Sequence, residues 1–423
     1  MYHSPIGKPS HRAGLVMRLL MGLCSLLLLA ACGGEELAKG GAGGEHKKST
    51  SSGTAPTGAG YQNKKSTSGG TVATDGLIVF VRYLDQDPTK GAIFTMYPTG
   101  THIRQITHPP EGFSDDSPAW SPDGVRVAFN RQAIDENTNR IMVLNTKTGD
   151  ERQVGGVEGS DPAFSPDGEM LAFKRIEGIF IVGLDGSGLH QETNIQKRGA
   201  LEFEDFTPAF SPEGKRLVFE RSRLADDHTA VFVQPIDPSI IGSPEDARQI
   251  TPWKMNCGYG PEFSPNGNQV LFSCEPKGEG GPSNLYSTRP DNPYVEVPEA
   301  ADIDPYNDTG LSDDRVNGTG LYKLSHAPDN WHYVASSFSP RAHTGWGDIV
   351  VARQPGYGDE GNSDVFRMHN DVGVSGAPAV NLTKSETLDG APDWGTHPPS
   401  LQTLYMRGCP GSPRTWRDES SKC

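Results

Sequence analysis

One heptapeptide constrains this chain more than any other feature. Pro118-Ala119-Trp120-Ser121-Pro122-Asp123-Gly124 returns as Pro162-Ala163-Phe164-Ser165-Pro166-Asp167-Gly168 and as Pro208-Ala209-Phe210-Ser211-Pro212-Glu213-Gly214. It returns again as Pro261-Glu262-Phe263-Ser264-Pro265-Asn266-Gly267, and a worn fifth copy is Ser337-Phe338-Ser339-Pro340. The serines of the first four copies stand 44, 46 and 53 residues apart, near the period of a four-stranded blade. Proline presets φ at the first corner of a turn, the acidic or amide residue takes the second, and glycine accepts a positive φ. Each copy is therefore a hairpin tip. Beyond the tips come Val127 and Phe129, Leu171 and Phe173, Leu217 and Phe219, Val270 and Phe272, with Ala128, Ala172, Val218 and Leu271 between them. Apolar residues on both faces predict strands buried between neighbouring sheets.

A third strand follows in each repeat, as in Ile141-Met142-Val143-Leu144, Ile179-Phe180-Ile181-Val182 and Val231-Phe232-Val233. A fourth ends in a polar signature: Arg104-Gln105-Ile106-Thr107, Arg248-Gln249-Ile250-Thr251, Val380-Asn381-Leu382-Thr383. The array begins at a second strand, Ile78-Val79-Phe80-Val81-Arg82, and ends at a first strand, Pro392-Asp393-Trp394-Gly395. The two halves are complementary, so the C-terminal strand should complete the first blade. Third strands near 93, 141, 179, 231, 285 and 365 make six blades. The expected fold is all-β: a six-bladed β-propeller over residues 76–397, closed by its C-terminal strand. The 51 glycines and 34 prolines suit many turns between short strands.

The N-terminal segment has a different character. His11-Arg12 and Arg18 precede an apolar run, Leu19 to Leu29, too short to span a bilayer. It ends in Leu29-Ala30-Ala31-Cys32-Gly33, small residues before a cysteine, which is a processing site. The pattern resembles the bacterial lipobox, and Met17-Arg18-Leu19-Leu20 would by itself begin such a signal. Residues 1–31 are read as a lipoprotein signal peptide, with Met17 a candidate start, and Cys32 as the lipidated residue. Residues 32–75, rich in Gly, Ser, Thr and Lys, form an expected disordered tether, and 398–423 a C-terminal tail. The expected location is extracytoplasmic. The lipid would hold the protein on the periplasmic side of an outer membrane, which Gly33 in place of an aspartate favours, or on the outer surface of a cytoplasmic membrane.

Cys24 leaves with the signal and Cys32 carries lipid, so four cysteines remain for an oxidising compartment. Cys257 lies seven residues before Ser264, and Cys274 seven after Gly267. A regular hairpin centred between Pro265 and Asn266 sets them face to face, so a disulfide is expected there. A bulge at the tip would spoil that alignment. Cys409 and Cys423 would pair in the tail.

Composition and motifs limit function. A formal net charge of −15 argues against nucleic-acid partners, which need a basic face. No Gly-x-Ser-x-Gly elbow, His-Glu-x-x-His, Cys-x-x-Cys or phosphate-binding glycine loop occurs, and the 12 histidines are scattered, so no enzymatic role is expected. Asp115, Asp116, Asp161, Glu204, Asp205 and Asp389 lie where the chain enters the innermost strands, at one mouth of the central channel. There they are candidates to bind a cation, Ca²⁺ by oxygen chemistry, or a basic peptide; equally, they cap turns and keep the rim soluble. No other metal or cofactor is implied. The stretch 276–331, with Asp302, Asp304, Asp308, Asp313 and Asp314, reads as a binding loop or a tolerated insertion.

The aromatic-Ser-Pro-x-Gly copies resemble the TolB-like propeller repeat, a relative of the WD-type blade, over about 320 residues. The resemblance implies a periplasmic six-bladed ring that binds envelope partners. That family's namesake has an α/β domain before its propeller, and here the lipidated tether takes that place. The expected function is a lipid-anchored scaffold that binds another envelope protein or peptide. The alternatives are a glycan- or peptide-acting enzyme, or a cation-dependent binder, at the acidic mouth, and a structural spacer.

Overall fold

The computed structural model describes residues 76–395 except 137, 194, 198–199, 237–246, 276–282, 293–314, 317–319, 326–330, 341–346, 356–361 and 371–378. Cys32, the tether, Cys409, Cys423 and the aspartates of 302–314 therefore lie outside the described residues.

Six antiparallel blades follow one another along the chain, with a separate two-stranded pair, Gln196–Lys197 and Ala200–Leu201, between the third and the fourth. Blade 1 consists, from inside out, of Leu388–Trp394, Ile78–Tyr83, Gly91–Met96 and Arg104–Gln105. Blade 2 is Phe113–Trp120, Arg126–Ala133, Thr138–Asn145 and Glu151–Glu158; blade 3 is Ser160–Phe164, Met170–Arg175, Gly178–Gly183 and His190–Gln191. Blade 4 is Phe203–Phe210, Arg216–Arg223, His228–Pro235 and Arg248–Gln249. Blade 5 is Cys257–Phe263, Val270–Cys274, Asn284–Thr288 and Leu321–Lys323, with Arg315–Val316 added outside as a fifth strand. Blade 6 is Trp331–Phe338, Gly347–Pro355, Asp364–Asn370 and Val380–Asn381. Each innermost strand touches that of the next blade, and blade 6 touches blade 1, so the ring is closed. The closing strand pairs as expected, Ile78 opposite Trp394 and Arg82 opposite Asp389. The only helical pieces among the described residues are two single turns, Leu84–Gln86 and Trp253–Met255.

The repeat residues account for this geometry one at a time. At the first tip the Ser121 carbonyl accepts the Gly124 N–H, and Ser121 Oγ accepts the Arg126 N–H at 2.8 Å. Gly124, Gly168, Gly214 and Gly267 all have φ between 64° and 72°, the left-handed value the turn requires. Phe80, Phe129, Phe173, Phe219 and Phe272 are fully buried at equivalent places. The apolar core is six clusters, one between each pair of blades. Val127 and Phe129 pack on Val79 and Val81, for example, while Ala128 on the opposite face packs on Phe173.

The polar fourth-strand signature also has a structural cause. Its hydroxyl accepts a third-strand N–H where the short outermost strand has run out: Thr107 from Ile93, Thr193 from Ile179, Thr251 from Val231, Ser325 from Leu285 and Thr383 from Val365, all 2.9–3.0 Å. The hydroxyl satisfies a buried donor that has lost its ladder partner.

The Cys257–Cys274 disulfide is present, with Cα atoms 4.1 Å apart, but the register that produces it differs from a regular hairpin. Near the tip, Phe263 faces Val270 and Glu262 faces Leu271, a centre displaced from the expected one. Tyr259, Gly260 and Pro261 then bulge opposite Phe272 and restore the Cys257–Cys274 pairing. Two offsets cancel.

Candidate functional site: the mouth of the central channel

The six acidic residues at the innermost strands fall into two groups. Three are locked in cross-strand clamps with an arginine of the second strand. Asp115 accepts from Arg131 Nε and Nη2 at 2.6 and 2.8 Å, Asp205 from Arg221 at 2.6 and 2.8 Å, and Asp389 from Arg82 at 2.7 and 2.8 Å. In each case the two residues are direct register partners. Each guanidinium also stacks on the phenylalanine of its own strand, Phe129, Phe219 or Phe80, at 5.1–5.5 Å. Burial pushes the Asp115 and Asp389 carboxyls up, and the arginines oppose it. These carboxylates are committed to the fold, since a bidentate pair uses the oxygens a ligand would need.

Blade 5 carries the disulfide at the same register position. Cys257 and Cys274 are direct partners where Asp and Arg stand in blades 1, 2 and 4. In blade 3 the acid's place, five residues before the aromatic, is Gly159, and in blade 6 it is Tyr333.

Asp116 and Asp161 are not clamped. Asp116 accepts from Tyr83 Oη at 2.5 Å and from the Ser117 N–H at 2.6 Å, and burial raises its pKa to about 6. Asp161, on the next blade, accepts from Ser117 Oγ and Ser160 Oγ, both at 3.1 Å; burial raises it too, against the pull of Lys174. Asn130 stands directly across from Asp116, wholly buried, and neither its amide nitrogen nor its oxygen has a partner. Glu204 is half-buried, and its charge, with those of Asp161 and Glu220, acts on Lys174. The Lys174 ammonium lies 3.6 Å from the Phe206 ring centre, and burial lowers its pKa. No cluster of three His, Cys, Asp or Glu side chains suited to a metal occurs among the described residues.

Further along the innermost strands lies a second polar group that reading the sequence missed. The position before the aromatic residue is alanine in blades 2, 3 and 4 (Ala119, Ala163, Ala209) but Glu262, Ser337 and Asp393 in blades 5, 6 and 1. Ser337 Oγ donates to Asp393 at 3.0 Å, the Trp120 N–H to Asp393 at 2.6 Å, and the Phe338 N–H to Glu262 at 3.2 Å. Each carboxylate thus caps a free backbone donor of a neighbouring blade. Burial raises Glu262 well above the usual range, helped by the charge of Asp393, and burial raises Asp393 itself. The signal that could have found them was their departure from alanine in an otherwise regular motif.

Just before the motif proline, Ser117, Asp161, Thr207 and Ala391 all have φ between 43° and 53°. These left-handed residues make the bulges that turn the mouth side chains relative to the rest of each strand.

The ring defined by these features is a six-bladed β-propeller. Among solved structures it is similar to TolB from Acinetobacter baumannii, at 17% identity over 76% of this chain and 67% of that one, TM-score 0.52. It is also similar to hydrazine synthase from Kuenenia stuttgartiensis, at 11% identity over 77% of this chain and 47% of that one, TM-score 0.51. A putative TolB from Agrobacterium tumefaciens aligns at 16% identity over 73% of this chain and 88% of that one, TM-score 0.47. No family model and no curated protein matches the sequence. At these identities the likeness is one of fold.

Proposed function

We propose that this propeller is a lipid-anchored, extracytoplasmic binding module whose channel mouth receives a basic segment of another envelope protein. The observation that carries this reading is the cluster of polar side chains on the innermost strands of blades 2 and 3. Asp116 and Asp161 have no cation within ion-pair distance among the described residues, and the buried Asn130 amide beside them is unpaired. A lysine or arginine from a partner would offset the cost of holding both carboxylates charged and would give Asn130 Oδ1 a donor. The lipobox at Cys32 and the 32–75 tether support attachment to a membrane surface facing away from the cytoplasm. No helix among the described residues is long and apolar enough to cross a membrane.

The test is a photo-crosslinking residue at Gln86, beside the mouth, in the full-length protein in its native cells. One dominant protein adduct is expected, and Asp116→Asn/Asp161→Asn should remove it without lowering protein level. Adducts that persist in that variant, or none at all, would refute the reading. Fatty-acid labelling that survives Cys32→Ala would remove the anchor from it.

A further inference from the structure

Blade 6 breaks the clamp pattern in a way that leaves a cation uncommitted. Arg353 occupies the place of Arg131, Arg221 and Arg82, but its direct partner on the innermost strand is Tyr333 where they have aspartate. Its guanidinium stacks on three rings, Trp331 at 4.2 Å, Phe366 at 5.4 Å and Tyr333 at 5.5 Å. Its Nε is sealed from solvent without a hydrogen bond, and among the described residues Arg353 forms no ion pair. The acid opposite it on the third strand, Asp364, is engaged elsewhere. Asp364 Oδ1 accepts from Thr383 Oγ1 at 2.8 Å and the Ser385 N–H at 3.0 Å, and Oδ2 from Asn381 Nδ2 at 2.8 Å.

We propose that Arg353, in its cage of Trp331, Tyr333 and Phe366, is a carboxylate-binding subsite that an acidic group of a ligand completes. Three observations converge on carboxylate. The same arginine position is satisfied by an aspartate in three other blades, which shows what geometry its fork accepts. A guanidinium never loses its charge, so it cannot relieve an unpaired state by deprotonation as a lysine can. The three rings around the fork hold it in place, which lowers the ordering cost of binding an anion in its plane. This inference goes beyond the basic-segment reading: it concerns the opposite charge on another blade, and its test uses no partner protein.

The experiment follows arginine Nε–Hε cross-peaks of the ¹⁵N-labelled full chain at constant ionic strength. Sodium acetate and the blocked peptide acetyl-Gly-Glu-Gly-amide are titrated against sodium chloride, with the Arg353 peak assigned by its loss in Arg353→Lys. The expected result is a saturable shift of the Arg353 peak while those of Arg82, Arg131 and Arg221 stay fixed. A lower apparent Kd for the peptide assigns the carboxylate to a protein, and equal values assign it to a free small acid. Tyr333→Asp should rebuild the clamp, carry the Arg353 peak toward the clamped set and abolish its response to both probes. A peak that does not move, or that moves in step with the clamped three, overturns the proposal. Asp359 and Glu360, six and seven residues further along the chain, lie outside the described residues. A peak that responds only after Asp359→Asn/Glu360→Gln also overturns the proposal, because the chain's own acids would then fill the site.

Discussion

Replacing Asp205 by asparagine removes half of the most deeply buried clamp. Arg221 is 2% exposed and Asp205 not at all, so water cannot enter to solvate what is left. The guanidinium loses two charge-assisted bonds of 2.6 and 2.8 Å and keeps only its stacking on Phe203, Phe219 and Phe232 at 4.9–5.3 Å. Removing one partner of such a pair costs about 3–5 kcal/mol, because the other remains charged in a poor solvent. Asparagine Oδ1 returns one neutral bond worth about 1 kcal/mol, so about 2–4 kcal/mol should be lost. The converse change, Arg221→Met, should cost less, since a stranded carboxylate can neutralise itself by taking a proton. The double change Asp205→Leu/Arg221→Met should recover most of the loss. Guanidinium denaturation followed by tryptophan fluorescence would complete the cycle. An Asp205→Asn protein within about 1 kcal/mol of wild type, or a double variant as weak as the single, would refute this account of the clamps.

Reducing the Cys257–Cys274 bond, or replacing both by serine, should cost about 3 kcal/mol for a sequence separation of 17, seen as a lower denaturation midpoint; unchanged midpoints with and without reductant would contradict it. Deleting residues 388–423 should leave Ile78–Tyr83 as an unpaired edge and yield protein that is protease-sensitive and aggregates; a monomeric, protease-resistant product would show that ring closure is dispensable. Asp116 binds its proton more tightly folded than unfolded, so its contribution is greatest at low pH and is lost as pH rises from about 4 through about 6, by at most about 3 kcal/mol. Asp116→Asn should therefore be more stable than wild type at pH 7.5 and lose that advantage by pH 4; equal differences at the two pH values would count against the buried, ionised state. Thr251→Val should cost about 1–3 kcal/mol by stranding the Val231 N–H, and unaltered exchange protection of that amide would show that Oγ1 is not its partner.

The ring was legible because its determinants repeat. Tip turns, paired faces of the second strand and complementary chain ends are local patterns that recur with a period, so the blade count and the closing strand could be read directly. The mouth was legible in composition only. Asp115 and Arg131 lie 16 residues apart in the chain, and their meeting depends on a bulge between Asp116 and Ala119 that no residue type announces. The same kind of offset explains why a symmetric hairpin led to the right cysteines by the wrong register. Arg315–Val316 and Leu321–Lys323 lay hidden in the Pro-, Gly- and Asp-rich stretch 276–331, where no alternation of polar and apolar residues is long enough to mark a strand. Asn130 was invisible for another reason: a buried amide is remarkable only once its neighbours, and their failure to bond it, are known.

Blade 1 has a consequence for when the protein can exist at all. Its clamp joins Arg82 to Asp389, 307 residues apart, so the first strand of the ring to be synthesised waits for the last. Until residue 394 is available, Ile78–Tyr83 carries an open hydrogen-bonding edge and Val79 has no sheet-mate at Asp393. Blades 2 to 6 are each continuous in sequence and can form as they appear, but the ring is fixed in a single late event. Anything that delays that event, a pause in synthesis or a slow oxidation at blade 5, lengthens the interval in which the newborn chain is vulnerable to pairing with its neighbours.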